Sequence, residues 1–209
     1  MKWTGTAPIV RRPVCLPDPT SGTNNATGTG MPRADHRRNI PRTPELPITC
    51  RAEFRRAPDA ELAQSTDFII ASENATFGQP EAMIGLAAGG GSPALLPRVL
   101  PPGKALQMLM TGDPITAQEA YRLGMVNEIC PQAELMDVTH RIAEKIASNS
   151  PTAVQAVKRA VHMGEGQPIE QAIAIMMEAR WRSAVHPDRL EGIGAFNDNR
   201  EPAFQDPDY

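Results

Sequence analysis

The chain has 209 residues, 41% of them apolar, and a formal charge of −3 at neutral pH. That length suits one domain, or one domain with a tail, and no apolar run reaches the roughly 18 residues of a membrane-spanning helix. Three cysteines without paired spacing, Cys15, Cys50 and Cys130, exclude a disulfide framework and read as reduced thiols.

The first 60 residues differ from the rest. They hold ten Lys/Arg against five Asp/Glu and nine of the 21 prolines, whereas residues 61–209 hold eleven against nineteen. The run SGTNNATGTG at 21–30 cannot bury enough apolar surface to offset its ordering entropy. Residues 1–56 are therefore expected to be irregular or disordered, and residues 57–209 to form the folded body. Met1 to Pro19 has no apolar stretch of about 7–15 residues, so no secretory signal is read there. Pro8, Pro13, Pro17 and Pro19 oppose the amphipathic helix of a transit peptide, and a cytoplasmic location is expected. The basic segment lacks interleaved aromatics, so nucleic-acid binding ranks last among the readings. The four histidines, His36, His140, His162 and His186, are scattered and no metal site is expected.

From residue 61 the pattern is helical with short strands. Glu61 to Thr66 reads as a short helix, Phe68 to Ala71 as a compact buried strand, and Ala75 to Gly78 as a second short strand. Gly89-Gly90-Gly91 precedes a helix through Leu95 and Leu96, and Lys104 to Met110 forms another. Thr116-Ala-Gln-Glu119 is a capping box, in which the Thr hydroxyl accepts from the amide three residues on and the Glu reaches back. Gly124 follows as the residue after the helix cap, and Met125 to Cys130 reads as a closing strand. Three longer helices are expected over 132–148, 151–163 and 168–185, the second with Ser150 as N-cap and Pro151 at the first helical position. A shorter one begins near Pro187. Their apolar stripes (Leu135, Val138, Ile142 and Ile146; Val154, Val157 and Val161; Ile169, Ile173, Met176 and Met177) read as core or subunit contact.

Two carboxylates stand out. Glu81 lies in FGQPEAMIGLAAGGG, where Pro80 restricts Gln79 to an extended conformation and the glycines permit positive φ and close backbone approach. Glu61 lies in AELAQSTD. Paired carboxylates beside a glycine-rich turn can hold and activate one water. For Glu61 an exposed acid in a first helical turn, favoured by the macrodipole, stays open as a structural reading.

On these two strings the chain resembles the enoyl-CoA hydratase/isomerase, or crotonase, superfamily from about Glu61 to Phe204. The first string is similar to the family's FGxPE-x-x-x-G-x-x-P-G-x-G-G, with Ala88 in place of the Pro and Ser92 in place of the last Gly. The second is similar to an x-E-L-A-x-x-x-D that follows a Gly-Gly-Gly turn. The resemblance implies an α/β crotonase-like fold, a spiral of short strands followed by a helical C-terminal region, and a trimer or a dimer of trimers. It implies syn hydration of trans-2-enoyl-CoA thioesters in fatty acid metabolism, with Glu61 and Glu81 catalytic, Gly89 on the substrate-binding side, and coenzyme A as part of the substrate rather than a cofactor.

The resemblance also raises a conflict. The family's oxyanion glycine aligns with Pro58, which has no N–H to donate, within Ala57-Pro58-Asp59. Nothing before residue 57 resembles the family's A-G-A-D segment, which carries the other donor. The expectation is an impaired hydratase, truncated or altered at its front. The alternatives are a non-catalytic oligomerisation or regulatory partner, or an enoyl-CoA isomerase. A shifted reading frame in a GC-rich gene accounts for the abrupt boundary; crotonase-like sequence in another frame upstream of codon 61 is its test.

Overall fold

A short apolar run makes the central strand. The computed structural model describes residues 14–15, 48–51 and 63–205. Strands β1 (Val14–Cys15), β2 (Ile48–Arg51), β3 (Phe68–Ser72) and β6 (Glu128–Cys130) form one sheet in the order β1-β2-β3-β6, parallel throughout. Ile69, Ile70, Ala71 and Ser72 of β3 are all buried. Such a continuous run, without alternation, is what a parallel strand covered on both faces requires. Asn127 sets the register of β6. Its side-chain oxygen accepts from the Ile69 N–H at 2.8 Å, and its own N–H donates to the Ile69 carbonyl at 2.8 Å.

The second expected strand is shorter than read: β4 is Thr76–Phe77, and it pairs antiparallel with β5, Ile115–Thr116. Around these strands lie α1 (Ser92–Val99), α2 (Pro102–Thr111) and α3 (Ala117–Arg122). Phe77, Leu96, Leu100, Met108 and Ile115 form the centre of their shared core. Thr116 caps α3, its hydroxyl accepting from the Glu119 N–H at 3.2 Å. The Glu119 side chain goes to Lys104, whose Nζ lies 2.8 Å away. Gly124 takes φ 86° and its N–H donates to the Tyr121 carbonyl, as expected of the residue that ends the helix.

The expected strand Met125–Cys130 contracts to Glu128–Cys130. The N–H groups of Met125 and Val126 donate to the Ala120 carbonyl at the end of α3, so this backbone is already engaged. Both side chains are buried in the core. Cys130 is buried too, and burial, with Glu128 adding to it, pushes its thiol pKa up.

The chain divides near residue 141 into two compact units, and α4 (Leu135–Ala147) contains the division. The C-terminal unit holds α5 (Pro151–Gly164), α6 (Ile169–Ala184) and α7 (Asp188–Asn197). Ser150 caps α5, accepting from the Ala153 N–H at 3.3 Å. Helices α5 and α6 pack together as a hairpin, and a Cβ on Gly164 would come 3.4 Å from the Ala172 methyl. The start of α7 is tied down by Asp188, which accepts from Ser150 Oγ at 2.6 Å and from the Gln205 N–H at 3.1 Å. Glu191 accepts from both Arg200 nitrogens, at 2.7 and 3.0 Å, and from the Ala203 N–H at 2.7 Å. These bonds, the Arg200 guanidinium first, hold the Glu191 pKa down to about 2.

The stripes divide in the isolated chain. Leu135 is buried, and Val138, Ile142 and Ile146 are half-buried. Val157, Val161, Ile169, Ile173 and Trp181 stand exposed. Among the described residues no helix is long and apolar enough to cross a membrane.

Candidate active site

After β4 the chain makes a tight turn that carries one carboxylate. Gln79 has φ −133° and ψ 79°, outside the helical region that Pro80 disfavours but short of the extended conformation expected. Pro80 then opens a 3-10 turn, Pro80–Ile84, closed by Gly85 at φ 76°. Glu81 is the second residue of that turn and is partly exposed. Met83, Ile84 and Leu86, on the same segment, expose large apolar side chains. Helix α2 packs against this turn.

Beneath Glu81 lies a buried polar cluster. Gln79 is 1% exposed, Ser92 0% and Gln64 5%. The Gln79 amide satisfies all its neighbours when its nitrogen faces the acceptor oxygens of Glu81, an orientation assigned from the hydrogen-bond network. In that orientation the nitrogen donates to both Glu81 oxygens, each at 3.1 Å, and the amide oxygen accepts from Ser92 Oγ at 2.6 Å and Gln64 Nε2 at 3.1 Å. Three separate segments meet here: the helical turn at 63–64, the residue before Pro80, and the first residue of α1. Gly91, at φ 108°, is the N-cap that lets α1 begin with Ser92 inside.

Of the site residues expected from sequence, Glu81 and Gly89 lie on this one segment. Gly89 is exposed, and a Cβ there would meet only the carbonyl oxygen of Ala87, at 4.0 Å. Glu61 and Pro58 lie outside the described residues. Sequence reasoning passed over Gln79, Gln64 and Ser92. Their available signal was weak: Ser92 registered only as a departure from a glycine pattern, and Gln79 only as the residue before a proline. Among the described residues no group of three or more His, Cys, Asp or Glu side chains is placed to hold a metal ion.

Taken together, the geometry offers a carboxylate that can exchange a proton, backed by a buried hydrogen-bonded support and accompanied on its segment by exposed apolar side chains. Comparison with known proteins gives the same direction. The sequence profile described as enoyl-CoA hydratase/isomerase matches residues 57–207. Carnitinyl-CoA dehydratases of Salmonella paratyphi B and Salmonella agona are each 36% identical over 149 residues, 69% of this chain. The chain spans 57% of the length of these curated relatives. A solved structure from Mycobacterium abscessus, described as an enoyl-CoA hydratase/isomerase, superposes with TM-score 0.76 at 33% identity, covering 79% of this chain and 68% of that one. An enoyl-CoA hydratase of Mycobacterium marinum superposes with TM-score 0.75 at 34% identity, covering 78% and 67%.

Proposed function

Because the chain belongs to the enoyl-CoA hydratase/isomerase family, we propose that it binds enoyl-CoA thioesters and adds water across their Cα–Cβ double bond, or removes it. The observation that supports this is the Glu81 carboxylate, partly open to solvent yet held from behind by the Gln79 amide. In hydration the oxygen of water attacks Cβ, and electron density moves through Cα onto the thioester oxygen. One carboxylate accepts the proton that water gives up. Collapse of the enolate then takes a proton at Cα from an acid, which leaves the 3-hydroxyacyl thioester. Glu81 serves one of these roles and Glu61 the other, on the strength of the resemblance. The exposed Met83, Ile84 and Leu86 suit the acyl portion of the substrate.

Stabilising the enolate oxygen is usually the largest catalytic contribution, and losing one donor costs about 10²–10³ in rate. Pro58 stands at the position of one such donor and has no N–H. Turnover is therefore expected to fall well below that of an ordinary hydratase. The reading includes a homo-oligomer, a trimer or a dimer of trimers, and no resident cofactor. The test is hydration of crotonyl-CoA, followed by loss of the enoyl-thioester absorbance, in wild type and Pro58→Gly. Slow turnover that rises with Pro58→Gly supports the reading. Absence of turnover in both, with no thermal protection by the thioester, overturns it in favour of a non-catalytic partner. Movement of the double bond in a 3-enoyl-CoA without hydration favours an isomerase.

A further inference from the structure

The motif that singled out Glu81 leaves unexplained the polar side chains buried behind it. An amide has two unlike ends of nearly the same shape, and the end facing a carboxylate decides whether the pair attracts or repels. Gln79 is locked in place by its proline-restricted backbone and by burial, so its amide has little choice of position but two choices of orientation. Ser92 Oγ at 2.6 Å and Gln64 Nε2 at 3.1 Å both reach the end opposite Glu81. When both donate to that end, the oxygen stays there and the nitrogen bridges both oxygens of Glu81.

We infer that Ser92, assisted by Gln64, is a positioning residue: its hydroxyl holds the Gln79 amide in place, and through it fixes the Glu81 carboxylate for proton transfer. The inference rests on the functional reading above and deepens it. Ser92 is fully buried and acts only through Gln79. Without the hydroxyl the buried amide oxygen loses its shortest bond, and the Gln79 side chain is held less firmly against the carboxylate. Substrate binding is left alone, so the effect falls on the chemical step.

The experiment uses the full chain and crotonyl-CoA with Ser92→Ala and Ser92→Thr, together with the side-chain amide signals of Gln79 in ¹⁵N–¹H spectra, assigned by their loss in Gln79→Met. Ser92→Ala is expected to lower kcat about tenfold with KM within about twofold, the size of one lost hydrogen bond acting in the transition state. The Gln79 amide signals should shift, and Ser92→Thr should restore both readings. Should Ser92→Ala fail to fold, Gln64→Met is read by the same signals, with a smaller expected shift. If neither wild type nor Pro58→Gly turns over and the thioester gives no thermal protection, the functional reading fails while the amide signals still decide this inference: shifted signals in the variant uphold it. Gln79 signals unmoved in a natively folded Ser92→Ala overturn it, as does a fall in kcat that Ser92→Thr does not reverse.

Discussion

Glu81 is a single side chain on a five-residue turn, and its chemistry depends on what it can exchange with water. Glu81→Gln keeps the size of the side chain and removes the proton site. It should lower crotonyl-CoA turnover by at least about 10² while leaving the thermal midpoint within a few degrees, which separates catalysis from folding. Glu191, in the C-terminal unit, serves stability instead. Its folded pKa is about 2 against an ordinary 4.5, so its contribution is fully present above the ordinary value and is lost as pH falls through the folded one. The difference in melting temperature between wild type and Glu191→Gln should be largest at neutral pH and shrink between about pH 4.5 and pH 2; a constant difference over that range would show that the Arg200 pairing contributes nothing. The two acids also differ in legibility. Glu81 was readable because a proline and glycines at fixed spacing surround it. Its supports were not, because Gln64 and Ser92 reach Gln79 across the fold, and no local spacing encodes that meeting.

Helices were more legible than strands in this chain. Thr116 and Ser150 cap where a hydroxyl three residues before an amide predicts, and Gly124 and Pro151 mark an end and a start. Strands of two residues, such as β4 and β5, exist only because a partner strand lies beside them, and that partner is distant in sequence. Met125 to Cys130 showed the same limit. A strand was legible there, but the engagement of its first amides by Ala120 was not. One element boundary bears directly on the site. Gly112 ends α2 at φ 77°, and a Cβ there would sit 2.7 Å from Met83 Cγ and 3.3 Å from Pro80 Cα. Gly112→Ala should cost about 1–2 kcal/mol from the left-handed backbone alone, measured as a lower urea midpoint. It should also reduce turnover, because Pro80 is the residue on which the Glu81 turn begins.

For the whole molecule, the exposed apolar residues of the C-terminal unit call for cover. Val157, Val161, Ile169, Ile173 and Trp181 are large apolar residues exposed on two packed helices, and exposed apolar surface, where it is contiguous, marks interaction sites. Light scattering should give three or six times the 22.6 kDa of one chain. Trp181→Glu should shift the distribution toward smaller species, and a monomer at every concentration would refute the assembly. The long-range pairing of β3 with β6 has a further consequence, in time rather than in structure. The Ile69–Asn127 clamp closes a separation of 58 residues, and entropy must be lost over that whole loop before the parallel ladder gives anything back. A nascent chain therefore holds the Ile69–Ile70 segment without its β6 neighbour until residue 130 has left the ribosome. Refolding from denaturant is expected on the order of milliseconds to seconds rather than microseconds, a window in which dilution or a chaperone decides yield.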